Sequence, residues 1–299
     1  MFYISGFYKF KKTINIKKNK KYIQNYFINN SIRGTIILST EGINGTISAK
    51  KKKLDLAMNQ IKKTFRFGNF DSLNLSKCKF QPFHRVKVKI KKEVVPIGIK
   101  VLKRKLKNHV EPTGWNKLIN NKNTFLLDVR KAFEYKVGTF KGAINPQVNN
   151  FREFPRYLKN LDKGKDIAMF CTSGVRCEKA SIYLEKKGFK NVYQLKGGII
   201  NYFKKIKKNK TLWRDECFVF DNRISIKHGL VPGNFSMCSG CRKPISNKDK
   251  ESKKYEEGVS CPNCHDSLTI SQKERFRMRQ KQINLAKKLR KKHTFQKEF

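Results

Sequence analysis

Seven consecutive residues, Cys171-Thr172-Ser173-Gly174-Val175-Arg176-Cys177, put two thiols, a glycine and a guanidinium on one short segment. The apolar run at 166–170 reads as a strand ending directly at Cys171, and a helical pattern starts near Cys177. A short loop from a parallel strand into a helix turns several backbone N–H groups inward, and the helix dipole adds positive potential there. With the permanent charge of Arg176, these donors lower a thiol pKa and stabilise an anionic sulfur. The chemistry implied is that of a thiolate or persulfide, with Cys171 as nucleophile and Arg176 as its cation. A loop that rings a phosphate ester needs one residue more before its arginine, and Cys177 stands at that position. The shorter loop suits a single sulfur atom. Reading Cys171 as a buried cysteine that merely closes a strand leaves the glycine and the arginine without a reason. Cys177 admits three roles: it resolves a persulfide, shares the chemistry, or packs.

A second set of thiols has a different spacing. Cys238-Ser239-Gly240-Cys241 and Cys261-Pro262-Asn263-Cys264 are separated by nineteen residues. Two such pairs fit a tetrahedral zinc ribbon, each pair forming a tight knuckle that Gly240 or Pro262 eases. Four thiolates close the coordination sphere, so the metal at Cys238, Cys241, Cys261 and Cys264 is expected to be structural. His265 is a neighbour that could replace a ligand. Four reduced cysteines without metal remain the alternative, and a redox pair fits poorly because neither CxxC opens a helix beside a βαβ unit.

The elements that must position these groups follow from periodicity. Residues 2–8 read as a strand, 17–29 as a helix, 32–38 as a strand, 41–45 as a turn, 46–49 as a strand, 54–65 as a helix and 85–95 as a strand. That βαββαβ order is a ferredoxin-like, α+β arrangement over residues 1–105. After a basic connector at 100–108, strands at 125–129, 166–170 and 191–195 alternate with helices at 115–119, 151–161, 178–187 and 200–206, as in a parallel α/β sheet over residues 117–211. A cysteine-rich module is expected over 212–270 and a basic tail over 271–299, where eleven Lys or Arg face two Glu. Asp128, Arg130 and Glu134 sit where catalytic groups could. An acid at the end of a strand more often braces a loop by hydrogen bonds, and support is the role expected for all three.

Apolar residues make up 38% of the 299 and aromatic residues 12%, enough for packed cores and too much for a disordered chain. The formal charge of +47 suits a polyanionic partner. Lysine, asparagine, isoleucine and phenylalanine abound everywhere, as an A+T-rich genome would also produce, so the charge permits RNA binding without requiring it. No apolar run approaches the roughly 18 to 20 residues that span a bilayer, and no signal segment opens the chain. Eight cysteines in a chain expected to be soluble and cytoplasmic argue for metal binding and catalysis over disulfides.

The segment Cys171-Thr-Ser-Gly-Val-Arg-Cys-Glu-Lys-Ala180 resembles the C-T-G-G-I-R-C-E-K-A loop of the rhodanese-domain tRNA uridine hydroxylases. Leu127-Asp128-Val129-Arg130, Glu134-Tyr135, Val137-Gly138 and Gly142-Ala143 resemble that family's rhodanese entry, and Gly197-Gly198-Ile199 its exit. Glu41-Gly42-Ile43-Asn44 is similar to a turn of its N-terminal domain. Ser173 and Val175 depart from the loop, and the tail lacks cysteines that some relatives carry. The resemblance implies oxygen-dependent formation of 5-hydroxyuridine at the wobble position, with dioxygen as co-substrate and a persulfide on the catalytic cysteine, here Cys171. It implies tRNA, through its anticodon loop, as partner, and a sulfur-donor protein as another. No flavin or nicotinamide fingerprint is visible, and His84, His109, His228, His265 and His293 form no spaced iron triad. Without the resemblance, the loop alone would suggest a sulfurtransferase acting on a small thiol or cyanide. A non-catalytic RNA-binding module is the third reading, and the intact Cys171 and Arg176 speak against it.

Overall fold

The structure, a computed structural model, describes residues 1–99, 108–158 and 161–290. The N-terminal domain runs β1 (Phe2–Phe10), α1 (Ile16–Asn29), β2 (Arg33–Ser39), β3 (Gly42–Ala49), α2 (Lys51–Phe65), β4 (Ser72–Cys78) and β5 (Val86–Ile90). Its sheet has the order β4-β1-β3-β2-β5, antiparallel except for the parallel pair β2–β5. Apolar residues at helical spacing bury one face of each helix: Ile23 and Phe27 of α1, and Leu54, Ala57 and Ile61 of α2, pack on Phe7, Ile36 and Ile47 of the sheet. The α+β, ferredoxin-like class is as expected, but its fourth strand is not. That place belongs to β4, whereas the strand expected at 85–95 is the shorter β5, added as a fifth strand beside β2. β4 escaped notice because it is an edge strand whose Leu73 and Leu75 stay exposed while Ser72, Asn74 and Ser76 alternate with them. The expected turn at 41–45 shrinks to Thr40 and Glu41, since Ser39 already pairs with Gly42.

The second domain contains β6 (His109–Val110), α3 (Pro112–Ile119), β7 (Thr124–Asp128), α4 (Ala132–Val137), β8 (Gly138–Phe140), α5 (Phe154–Tyr157), β9 (Asp166–Phe170), α6 (Val175–Lys186), β10 (Val192–Leu195) and α7 (Gly198–Lys205). Its parallel sheet, β6-β10-β9-β7, is covered on both faces. The strand period of two sorts β9 and the residue after it: Ile167, Met169 and Cys171 enter one core with Val175 and Leu184, while Ala168 and Phe170 enter the other with Phe140 and Tyr202. The helix expected over 151–161 is a short 3-10 turn followed by α5, broken because Pro155 is tolerated only in a first helical turn. Residues 159 and 160 lie outside the described residues, as does the connector apart from Asn108.

Two boundaries move. β6 joins the sheet, and α3 begins, before residue 117. Beyond residue 212, β11 (Trp213–Asp215) pairs with β8, and β12 (Cys217–Phe218) pairs with β13 (Ser225–Ile226). Trp213, Cys217, Val219, Ile226 and Leu230 pack with Phe140 and Tyr202, so this segment is a strap on the second domain and not part of the cysteine module. The module itself holds β14 (Ser236–Met237), β15 (Pro244–Ile245) and α8 (Asn247–Lys250) around the four cysteines, and α9 (Ile270–Lys288) follows. Within the described residues the basic tail is therefore mostly helix, and residues 291–299 of it lie outside them.

Candidate active site and metal centre

Cys171 follows the last residue of β9 and is fully buried. Gly174, at φ 99°, turns the chain into α6 and donates its N–H to Cys171 Sγ at 3.2 Å. A side chain there would be strained by the positive φ and would press on Tyr8. On the other side, Ile199 and Ile200 at the start of α7 donate their N–H groups to the carbonyls of Cys171 and Thr172. A Cβ on Gly198 would fall 2.5 Å from the Cys171 carbonyl oxygen, so only glycine lets α7 approach this closely. One helix N-terminus thus faces the sulfur while the other holds the loop carbonyls.

Burial alone would raise the Cys171 pKa, but a hydrogen bond from the Cys177 thiol, the Arg176 charge and the N–H groups of Cys177 and Arg176 overcome it and bring the thiol from 9.0 to about 6. Cys177 moves the other way. Burial, the bond to Cys171 and the nearby anions raise it well above 9.0, so it stays a thiol and serves as the donor. The sequence reading left Cys177 open, and this geometry brings it to Cys171 as a hydrogen-bonding partner. Arg176 donates from both terminal nitrogens to Glu134, at 2.6 and 2.9 Å, and more weakly to Thr172 Oγ1 at 3.3 Å. Burial opposes ionisation of Glu134, yet the Arg176 pair holds its carboxyl below the ordinary value. Asp128 and Arg130, both fully buried, form their own bidentate pair, and Arg130 lies over Trp213 and reaches the Gly138 carbonyl. Of these three expected supports, Glu134 aims the arginine, whereas Asp128 and Arg130 fasten β7 to β8.

A pH dependence follows from these shifts. Cys171 is depressed in the folded chain, so its contribution to stability is full above pH 9 and lost as pH falls towards 6. Alkylation of Cys171 by iodoacetamide is expected to reach half its maximal rate near pH 6, slow in absolute terms because the sulfur is buried. Cys217, pushed up to about 12 by burial, should not react below pH 9. A Cys171 midpoint near 9, read by peptide mass spectrometry, would contradict the arrangement.

Sequence reasoning missed what the N-terminal domain adds. Tyr8 of β1 donates to Glu178 Oε1 at 2.8 Å, and the same oxygen lies 2.9 Å from His109 Nε2. Ser72 and Asn74 of β4 donate to the carbonyls of Ser173 and Gly197. Lys179, fully buried, pairs with Glu41 at 2.7 Å and Glu93 at 2.6 Å. Nothing in the sequence announced these pairs: the polar Glu178, Lys179 and Ser181 stand out only once the start of α6 is seen to be buried.

The four CxxC sulfurs lie within 4.8 Å of one another, with pairs at 3.7, 3.8 and 3.9 Å. A disulfide would need about 2.05 Å. Four thiolates about 2.3 Å from one zinc ion stand about 3.8 Å apart, so the set fits a tetrahedral ion. His265 turns to Asp266 and Lys273 instead. The other described histidines are dispersed, His84 beside Asn222 and His228 beside Thr211, and His293 lies outside the described residues. No helix among the described residues is long and apolar enough to cross a membrane.

A split αβ domain set against a parallel-sheet domain whose central strand ends in a buried cysteine at a helix-opening loop defines a protein of the rhodanese-like class. Residues 2–94 match the UPF0176 acylphosphatase like domain and residues 112–205 the rhodanese-like domain. Over the full length of both chains it is 67% identical to the tRNA uridine(34) hydroxylase of Pelagibacter ubique strain HTCC1062, and the chain belongs to that family. Among solved structures, a rhodanese-related protein from Thermoplasma volcanium is 27% identical over 32% of this chain and 91% of its own, with a TM-score of 0.29. A rhodanese-like domain from Anabaena is 20% identical over 37% and 80%, with a TM-score of 0.31.

Proposed function

We propose that the protein hydroxylates the wobble uridine, position 34, of tRNA to 5-hydroxyuridine, with Cys171 as its reactive sulfur. The observation that carries this reading is the buried Cys171 thiolate, held by Arg176, Cys177 and Gly174 in a chain that matches a tRNA uridine(34) hydroxylase from end to end. The N–H groups and Arg176 that stabilise a thiolate also stabilise the terminal anionic sulfur of a persulfide, which a sulfur-donor protein would load. Dioxygen supplies the hydroxyl oxygen. Its second atom leaves as water, with two electrons from a cellular reductant.

An anticodon-loop base can be splayed out of its stack and read singly, as single-stranded RNA usually is. The excess positive charge of the chain supplies attraction to the phosphates. On α9, Arg277 is committed to Glu256, and Arg279 to the Ser239 and Gly258 carbonyls, which ties the helix to the cysteine module. Arg275, Lys281, Lys287 and Lys288 are exposed and serve as RNA backbone contacts. Cys238, Cys241, Cys261 and Cys264 hold a structural zinc ion that shapes this module.

The test is nucleoside mass spectrometry of tRNA from cells with and without the gene. Loss of 5-hydroxyuridine and its derivatives on deletion is the expected result. Unchanged tRNA, together with release of thiocyanate from thiosulfate and cyanide by the purified protein, would replace this reading by a simple sulfurtransferase.

A further inference from the structure

The matched motifs contain residues that the chemistry of Cys171 leaves unused: Glu178 and Lys179 directly after Cys177, and Glu41 at the hairpin of the other domain. All are buried, and all find their partners across the domain boundary. A buried lysine is costly unless paired, and Lys179 is paired twice, with Glu41 and with Glu93. Glu41 in turn accepts the Val94 N–H, which fixes the segment after β5. The result is a latch between the N-terminal sheet and α6, two residues beyond the cysteine loop.

Tyr8 is what the latch delivers. Its ring enters the same core as Cys171, Val175 and Cys177, and it is 3% exposed. Its hydroxyl stands 3.2 Å from where a Cβ on Gly174 would be, so it overhangs the residue whose N–H holds Cys171 Sγ. The same hydroxyl donates to Glu178, one helical turn further on, and that carboxylate is also held by His109 of β6 on the same oxygen and by Gln194 of β10 on the other. Tyr8 therefore spans the first turn of α6, whose N–H groups face the sulfur.

We propose that Tyr8 is a positioning residue for Cys171, and that the thiol site is a two-domain structure in which Glu178 and the Glu41–Lys179–Glu93 latch hold Tyr8 over the Gly174 turn. The N-terminal domain then has a part in the reactivity of the thiol besides any part in binding RNA. This rests on Cys171 being the reactive thiolate, and only its activity arm rests on tRNA hydroxylation.

The test uses the full-length, reduced protein with Tyr8→Phe, which keeps the ring, and Glu178→Gln, which keeps the shape. Iodoacetamide alkylation of Cys171 is followed against pH. The groups facing the sulfur are Arg176 and Cys177 of α6 and Tyr8 of β1, with Glu178 acting through Cys177 and Tyr8, Glu134 of α4 through Arg176 and His109 of β6 through Glu178. Tyr8→Phe is expected to raise the alkylation midpoint by about one unit as the turn relaxes, and Glu178→Gln to raise it by less, because losing a nearby negative charge favours the thiolate and offsets part of the rise. The kcat for hydroxylation should fall about tenfold while KM for tRNA stays within about twofold. A role in folding alone would lower the melting temperature and leave the midpoint in place. An unchanged midpoint, or an unchanged kcat, in both variants overturns the proposal. If the parent enzyme does not hydroxylate tRNA at all, the proposed activity falls, and the midpoint alone decides the role of Tyr8.

Discussion

Cys171→Ser is expected to lower hydroxyuridine formation by at least about 1000-fold, the loss that follows when a covalent nucleophile is deleted. A serine hydroxyl in the same loop can accept the Gly174 N–H, but it cannot carry a persulfide, and its proton is not released by donors that bring a thiol to about 6. Cys177→Ser is expected to do much less, about tenfold or under, because a hydroxyl still donates to the Cys171 sulfur, which is the role that its raised pKa implies. The measurement is the yield of 5-hydroxyuridine from unmodified tRNA with each purified variant, beside the parent. Should Cys177→Ser alone be inactive while Cys171→Ser retains activity, the assignment of the two thiols is reversed.

The loop was legible because its chemistry is local. Cys171, Gly174 and Arg176 lie within six residues, and a strand that runs into a helix leaves few ways to arrange them. The CxxC spacing was legible for the same reason, since each knuckle is closed by two intervening residues. What could not be read depends on pairing between distant segments. Tyr8 and Glu178 are 170 positions apart, and nothing in either segment names the other. The strap at 213–230 looked like part of the cysteine module because its strands are two or three residues long, too short for a period to register. It joins the rhodanese core through Trp213, Cys217, Val219, Ile226 and Leu230, which pack with Phe140 and Tyr202. β4 was hidden by its edge position, where alternation carries no burial. Glu134 was expected as a brace, and its partner, Arg176, is visible only once α4 and α6 are folded side by side.

Removal of zinc is the change expected to unfold the most structure outside the rhodanese domain. The cysteine module has little core of its own: Ile245 is packed with the four cysteines, and Tyr255 and Leu268 lie at the margin. Modules of this kind draw roughly 10–16 kcal/mol from the metal, far more than so few apolar side chains provide. The purified protein should contain one zinc ion per chain, and Cys261→Ser, at a fully buried position, should abolish it. Without the ion, the anchors of α9 on the Ser239 and Gly258 carbonyls lose their frame, and residues 236–290 should become open to protease. The strap at 213–230 should survive, because its partners are Phe140 and Tyr202 and not the thiolates. Cys171 alkylation should then keep its midpoint near pH 6, since none of the groups that set it comes from the module. Hydroxylation of tRNA should weaken through KM, while kcat at saturating tRNA is retained. That split separates a metal that shapes an RNA-binding surface from one that takes part in the reaction. Protease resistance of a metal-free module, or a collapse of kcat together with the Cys171 midpoint, would show that the zinc and thiol sites are not independent.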